Sequence, residues 1–421
     1  MNTAEVTCPA GTVVGVSDGT ARHFHSIEYS HISAPFNDAM PAARGLLIDA
    51  TTARPEKTAL SITTPAAATD SDDLPVMVWI HGGRFETGSH ADPDTGASAF
   101  ASEGVIQVRL GYRLDLAGLV QFPDDDPAHF RAAHDCQLGL EWVQRNIEAF
   151  GGDPTNITLV GQSAGANLVL WLARRDHYRG AFRRAVALSP AFPRRTFAQR
   201  KASLRASLSM PLTRSALGAA DPHRLARGYR RFRTAHITDL ALGPGPLDPA
   251  ELADVDIVVT STRDEFYRSG AWTDAMGLGA ATVSTMGRFM GLAPGAASAY
   301  LEACRAIDPQ HLMGRFLSDS LIRRFVDRVA EGAPGRVWQA EFISESGAPA
   351  HHSDELSSLF AQGPYAPSAG LNAAMARYCA TGDPGWPPYQ PGRTVLRTDF
   401  SCRKAELVRD PLDYVREAFV T

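Results

Sequence analysis

The chain has 421 residues, of which 44% are apolar and 21% are charged, and its formal net charge is −5. This composition excludes a disordered or fibrous protein, and the length allows about two or three average domains or one large α/β domain with insertions. The slight negative charge argues against a general electrostatic attraction to nucleic acid or to an anionic membrane.

Localisation and cofactor signals are sparse. Residues 1–12 lack the basic and apolar regions of a secretory signal, and no apolar run is long enough to span a bilayer. The five cysteines are widely spaced and form no C-x-x-C pair, which is typical of free thiols in a reducing compartment. Because the chain also lacks an H-E-x-x-H motif, we expect no metal and no cofactor. We expect a cytoplasmic monomer or homodimer without nucleic-acid or membrane partners.

The first third of the chain is predicted to be rich in strands. Residues 12–30 have the alternation of a β-ribbon, and residues 58–64 and 76–80 read as further strands. The run at 76–80 is apolar throughout, which is typical of a strand buried on both faces of a largely parallel sheet.

Adjacent glycines, Gly82 and Gly83, follow that strand directly after His81. Glycines at a strand's carboxyl end let consecutive backbone N–H groups turn toward one point, as the oxyanion of a tetrahedral intermediate requires. An ordinary Gly-Gly loop is the alternative. The position of the pair, well upstream of a candidate nucleophile, favours the functional interpretation.

A strand–helix–strand pattern leads up to that nucleophile. Residues 105–110 read as a strand, a helical pattern begins at Asp135, and Gly151-Gly152-Asp153-Pro154 ends it. The apolar run 157–160 is the next strand. A helix between two strands in this order predicts a βαβ unit and a parallel α/β architecture.

The motif around which the chain is organised is Gly161-Gln162-Ser163-Ala164-Gly165. It lies between the strand at 157–160 and a helix-favouring apolar run at 166–173. Two glycines let strand and helix backbones approach closely, so that the serine can occupy a sharp turn with its Oγ outward. Ser163 is therefore the candidate nucleophile, although the pentapeptide alone is also compatible with an ordinary strand-to-helix turn.

Residues 174–236 are strongly basic, with sixteen Lys or Arg and only Asp176 and Asp221 as acids. Helix-favouring stretches interrupted by prolines predict a helical insertion over the sheet, at about residues 190–250. Such a basic face is usually solvated surface. The alternative is a cap that favours anionic substrates or an acidic partner.

Candidate partners for the serine follow two later strands. Residues 256–261 read as a strand and are followed by Asp264 and Glu265, either of which suits the acid of a Ser, acid, His order. A helical region at 267–331 and a last central strand at 337–344 come next. The loop beyond carries His351 and His352, one of which is placed to deprotonate a serine hydroxyl.

Taken together, these motifs resemble the type-B carboxylesterases, an α/β-hydrolase family that includes the cholinesterases and bacterial p-nitrobenzyl esterases. The matching words run in family order from about residue 12 to the C-terminus. They are Leu74 to Gly83, Glu141 to Ile147, Phe150 to Pro154, Gly161 to Ala166, Thr262 to Glu265, His352 to Leu356, Thr381 to Pro384 and Trp386 to Tyr389.

The resemblance implies particular site residues. In the family the triad acid is the Glu of a D-E pair, which corresponds to Glu265, and the histidine precedes x-x-E-L, which selects His352. The oxyanion donors become the N–H groups of Gly82, Gly83 and Ala164. Gln162 departs from the family's usual Glu and removes a negative charge beside the nucleophile, and the chain is shorter than typical relatives near the hairpin and at about 190–250.

The implied protein is a single α/β-hydrolase domain over residues 1–421. It has a mostly parallel central sheet flanked by helices, an N-terminal β-ribbon, and helical insertions at about 190–250 and 267–331 that form a cap. The implied activity is hydrolysis of small-molecule carboxylic esters through an acyl-enzyme. The alternatives are a hydrolase of carbamate, amide, lactone or thioester bonds and a non-catalytic binding protein on the same scaffold.

Overall fold

The computed structural model describes residues 2–96 and 98–420. Within these ranges the strands are β1 (Asn2–Cys8), β2 (Gly11–Ser17), β3 (Ala21–Ile27), β4 (Ser30–His31), β5 (Met40–Pro41), β6 (Leu46–Asp49), β7 (Leu60–Pro65), β8 (Leu74–Ile80), β9 (Ile106–Leu110), β10 (Gly152–Gln162), β11 (Arg184–Leu188), β12 (Asp256–Thr262), β13 (Val337–Ile343), β14 (Thr394–Asp399) and β15 (Ala405–Arg409).

The α-helices in the same ranges are α1 (Ser98–Ala101), α2 (Asp115–Leu119), α3 (Arg131–Asn146), α4 (Ala164–Leu172), α5 (Phe197–Leu208), α6 (Arg214–Gly218), α7 (Pro222–Ala235), α8 (Tyr267–Ala275), α9 (Gly279–Met286), α10 (Ala297–Ile307), α11 (Leu312–Ser318), α12 (Arg324–Gly332), α13 (Glu355–Leu359), α14 (Gly370–Thr381) and α15 (Asp413–Ala418).

Most of the strands form one large sheet in the order β1-β2-β3-β7-β9-β8-β10-β11-β12-β13-β14-β15, with β6 beside β2. The strands from β9 to β14 pair in parallel, whereas β1, β2, β3 and β7 add an antiparallel ribbon at one edge. This arrangement confirms the predicted α/β architecture with a mostly parallel sheet. The carboxyl ends of parallel strands meet at one edge, where the candidate site residues lie.

The central strands are buried on both faces, as the apolar run at 76–80 predicted. In β8 the side chains of Val76, Val78 and Ile80 pack into one hydrophobic cluster, whereas Met77 and Trp79 pack into another on the opposite face. Alternation of successive side chains across a strand requires this split. Each such buried side chain stabilises the fold by about 1.5–3 kcal/mol relative to exposure.

The prediction that residues 337–344 form the last central strand was wrong. A further parallel strand, β14, pairs with β13, and β15 then pairs antiparallel with β14. Strand β14 carries a charged Arg397, whose Nε donates to the buried Glu341 of β13 at 2.6 Å. This ion pair lets a polar segment join the sheet, so the strand lacks the apolar run by which the others were recognised.

Two helical segments lie between the late strands. Helices α5–α7 fall in residues 197–235, between β11 and β12, and α8–α12 fall in residues 267–332, between β12 and β13. Helix α5 begins with a capping box between Thr196 and Gln199. Among the described residues, no helix combines the length and the apolarity needed to cross a membrane.

Candidate active site

Ser163 occupies a strained turn between β10 and α4, with φ 54° and ψ −116°. A Cβ built on Gly165 would lie 2.1 Å from the carbonyl oxygen of Ile80, and one built on Gly161 would lie 2.6 Å from the Gly165 backbone. Both glycines are therefore required by close backbone approach. Backbone strain of this kind is a feature of strand-to-helix turns that present a nucleophile.

Glu265 and His352 meet at the carboxyl edge of the sheet. His352 Nδ1 lies 2.5 Å from Glu265 Oε2, and the His352 backbone N–H donates to the Glu265 carbonyl oxygen at 3.0 Å. The other carboxylate oxygen, Oε1, accepts from Ser189 Oγ at 2.7 Å and from the Thr262 N–H at 2.8 Å. Because Glu265 accepts at Nδ1, the neutral imidazole carries its proton there and Nε2 is an acceptor.

The two alternatives that sequence position had left open, Asp264 and His351, are not part of the contact between Glu265 and His352. Asp264 is 1% exposed, accepts from the Ala350 N–H at 2.9 Å, and lies 3.3 Å from the guanidinium of the buried Arg315. The His351 N–H donates to Asp354 at 2.8 Å. Thus the structure brings Glu265, and not Asp264, to His352.

The Nε2 side of His352 faces Gln162. The amide nitrogen of Gln162 lies 3.2 Å from His352 Nε2 and 2.9 Å from Ser353 Oγ. Ser163 and His352 line the same cavity, although among the described residues no hydrogen bond joins their side chains. The structure therefore places the two side chains at one cavity without a direct hydrogen bond between them.

Opposing effects set the protonation of His352. Burial lowers the pKa of the imidazole, but the charge and hydrogen bond of Glu265 raise it more, so the pKa of His352 lies above its ordinary value. The ring also stacks on Phe266, with centroids 5.2 Å apart. The carboxylate thus favours the imidazolium that forms when the histidine accepts a proton.

A second buried carboxyl, Glu355, lies behind the histidine. It is 1% exposed, and neither of its oxygens has a hydrogen-bond partner among residues 2–96 and 98–420. Burial, reinforced by the charge of Glu265, raises the pKa of Glu355 to about 8. At neutral pH Glu355 therefore retains its proton.

Two of the three predicted oxyanion residues, Gly82 and Ala164, lie beside the serine. A Cβ built on Gly82 would lie 3.3 Å from Ser163 Cβ, and Ala164 is the first residue of α4. Gly83 has a φ of +95°, and its carbonyl accepts from the Glu86 N–H in a tight turn. In the described part of the chain, the N–H groups of Gly82, Gly83 and Ala164 donate to no protein acceptor. They are free to bind an anionic oxygen.

A cavity of about 400 Å³ opens beside Ser163 and His352. It receives side chains from the stretch that follows α7 and from the segment that contains α8–α12. Most of these side chains are apolar, and they include Ile237, Leu240, Met286, Met290, Leu317 and Phe325. Residues 319–323, a π-helical turn between α11 and α12, also contribute to the wall. A π-helical turn of this kind is often found next to functional sites.

Among the described residues, six of the sixteen basic residues of the segment 174–236 form ion pairs with acids outside the segment. Arg214 contacts Asp124 and Asp125, and Arg194 and Arg200 contact Asp239. Arg233 pairs likewise with Glu86. Arg84, which belongs to the loop after β8, is the cation that lines the cavity among the described residues.

Sequence reasoning missed four side chains around the predicted site: Ser189 on Glu265, Gln162 and Phe266 on His352, and the buried Glu355. Gln162 gave a signal as a change of charge beside the nucleophile, and Glu355 as the Glu of the x-x-E-L word after His352. Among the described residues, no group of three or more His, Cys, Asp or Glu side chains is arranged to hold a metal ion.

Comparison with solved structures places the fold. The chain is similar to a carboxylesterase from Geobacillus stearothermophilus with a TM-score of 0.78 and 22% identity, covering 99% of this chain and 100% of that one. This likeness identifies an α/β-hydrolase fold.

Sequence comparison finds similarity to carboxylesterases over part of the chain. The model of the carboxylesterase family matches residues 58–212. The para-nitrobenzyl esterase of Bacillus subtilis (strain 168) is 32% identical over 229 residues, which are 48% of this chain and 46% of that protein. Carboxylesterase 5A of Ovis aries is 44% identical over 131 residues, which are 31% of this chain and 34% of the relative. The chain is thus similar to carboxylesterases over part of its length, and its matches span less than half the length of these curated relatives.

Proposed function

We propose that the protein is a serine hydrolase that cleaves carboxylic esters through an acyl-enzyme. In this proposal Ser163 is the nucleophile, His352 the general base and then acid, and Glu265 the carboxylate that orients the imidazole. The N–H groups of Gly82, Gly83 and Ala164 bind the oxyanion. The observation that carries the proposal is the 2.5 Å contact between His352 and Glu265 at the wall of a cavity that Ser163 also lines.

The reaction has two halves. Ser163 Oγ attacks the ester carbonyl while its proton passes to His352 Nε2, and the carbonyl oxygen becomes an anion held by the backbone N–H groups. The C–O bond to the alcohol then breaks, and the alcohol leaves with the proton from His352. Water, deprotonated in turn by His352, attacks the acyl-enzyme, releases the acid and restores the serine.

The cavity supports an uncharged, lipophilic ester as substrate. Its walls are mainly apolar, with Arg84 and Asp239 as charged side chains of opposite sign among the described lining residues. We propose that residues 190–250 and 267–331 act as a cap, because Ile237 and Leu240 from the first segment and Met286 and Met290 from the second line the same cavity. Two of the sequence relatives are a para-nitrobenzyl esterase and a carboxylesterase, which agrees with an ester bond.

The test is turnover of p-nitrophenyl esters of graded acyl length by the wild type and by Ser163→Ala. We expect the substitution to lower kcat by on the order of 10⁴ or more, because it removes the attacking atom. Ser215→Ala is the matched control, since Ser215 is exposed on α6. Near-normal turnover by purified Ser163→Ala contradicts the mechanism.

The same screen separates the alternatives. A carbamate, an amide, a lactone and a thioester tested beside the esters show which bond the site cleaves. If the protein cleaves one of these compounds but no ester, the bond in that compound is the one that the site cleaves. An absence of turnover and of covalent labelling by a fluorophosphonate favours a non-catalytic binding protein on this scaffold.

A further inference from the structure

The side chain that precedes the nucleophile touches the catalytic base. Gln162 is the last residue of β10 and is 3% exposed. Its amide nitrogen lies 3.2 Å from His352 Nε2 and 2.9 Å from Ser353 Oγ, and its amide oxygen lies toward Gly82, 2.6 Å from where a Cβ there would stand. The Gln162 side chain therefore lies between the loop that contains Gly82 and the loop that contains His352.

The direction of this contact depends on the charge of the histidine. When Nδ1 carries the hydrogen and donates it in a hydrogen bond to Glu265, the neutral ring presents Nε2 as an acceptor. An amide N–H is a suitable donor to that atom. When the ring is protonated, Nε2 carries a hydrogen, and two donors would face each other. The contact therefore stabilises neutral His352 and opposes its protonation.

We propose that Gln162 is a positioning residue that keeps His352 neutral and oriented, by donating its amide N–H to His352 Nε2. The inference rests on the proposed function, in which His352 must be neutral to accept the serine proton. The hydroxyl of Ser163 replaces the amide at Nε2 when substrate binds, since one lone pair cannot fully serve both donors.

The charges around His352 define what a carboxylate at position 162 would do. Glu265, in the turn after β12, is hydrogen-bonded to the ring, and Glu355 at the start of α13 and Arg84 in the loop after β8 act on it through their charges. The first two raise the pKa of His352 and Arg84 lowers it. A carboxylate in place of the Gln162 amide would add a negative charge about 3 Å from Nε2, and the imidazolium would gain an ion pair.

The experiment titrates His352 by NMR in the Ser163→Ala background, with position 162 as Gln, Met or Glu. Met has nearly the size of Gln but cannot donate, so we expect the His352 titration to move up by about 0.5–1 pH unit. Glu at this position is expected to move it up by about 1–3 pH units. The His352 signal is assigned by its loss in His352→Gln. In enzymes with an intact serine, the acid limb of kcat/KM is expected to follow the same order.

Gln144 on α3 supplies the matched control, because its amide donates to the Gly180 carbonyl oxygen at 3.1 Å, outside the site. Gln144→Met and Gln144→Glu are expected to leave the His352 titration unchanged. In the Ser163→Ala background, identical His352 titrations with Gln and with Met at position 162 overturn the inference. This comparison does not depend on whether Gln162→Glu folds. The titration needs no substrate. If the His352 titrations follow the predicted order but no ester is turned over, only the proposed function is contradicted. Normal turnover with coincident titrations removes only the role of Gln162.

Discussion

Glu355 makes the stability of the protein depend on pH in a direction that can be worked out. Burial, with the charge of Glu265 next, raises the pKa of its carboxyl from an ordinary 4.5 to about 8. Below pH 4.5 the carboxyl is protonated in both the folded and the unfolded chain. Between 4.5 and 8 the unfolded chain loses the proton and the folded chain keeps it, so the free energy of unfolding falls as pH rises. Above about pH 8 both states are ionised and the loss is constant.

The magnitude follows from the two pKa values. At 1.36 kcal/mol for each pH unit, the full separation corresponds to roughly 5 kcal/mol. Glu355→Gln removes the ionisation while preserving the side-chain shape. We therefore expect the free energy of unfolding of Glu355→Gln, relative to the wild type, to increase by about 4 kcal/mol between pH 5 and pH 8.5.

The assay is urea unfolding followed by tryptophan fluorescence at half-unit steps across that range. Glu345→Gln is the control, because Glu345 lies exposed in the loop before His352, and we expect it to follow the wild type. A constant difference between Glu355→Gln and the wild type at every pH refutes the reasoning, since burial of an ionisable group would then not be the cause.

Two substitutions separate the neighbouring acids. Glu265→Gln keeps the shape but loses the charge that stabilises the imidazolium, so we expect kcat for an ester to fall by about 10³ to 10⁴ with little change in the free energy of unfolding. Asp264→Asn leaves the buried Arg315 without its carboxylate, so we expect a loss of about 3 kcal/mol in the free energy of unfolding. Equal losses of kcat in the two variants contradict the assignment of roles, and urea unfolding with steady-state kinetics measures both.

The fold was predictable from sequence where one chemical pattern dominated an element. The apolar run at 76–80 is typical of a strand buried on both faces of a parallel sheet, and the elbow glycines leave no room for a side chain. Strand β14 was missed because Arg397 interrupts its apolar pattern and is accommodated by Glu341, more than fifty residues earlier in the chain. Strand β1, at the sheet edge, buries only Ala4 and Val6, which is too short an alternation to recognise.

Site residues that belong to a sequence motif were predictable. Residues that only contact those motif residues in the folded chain were not. The choice of Glu265 and His352 came from the family resemblance, and the chain brings them together from positions 87 residues apart. Gln162 meets His352 across 190 residues and Ser189 meets Glu265 across 76. A hydroxyl or amide at such a separation leaves no periodicity or spacing in the sequence. Some cations of the basic segment 174–236 likewise pair with distant acids, as Arg214 does with Asp124 and Arg200 with Asp239.

The central claim is that His352 activates Ser163 for attack. It is tested most directly by reacting the wild type and His352→Gln with a fluorophosphonate and mapping the labelled peptide by mass spectrometry. We predict a single label on Ser163 that forms rapidly in the wild type and at least about 10³-fold more slowly in His352→Gln. Labelling of a different residue, or equal rates in the two proteins, would contradict the account.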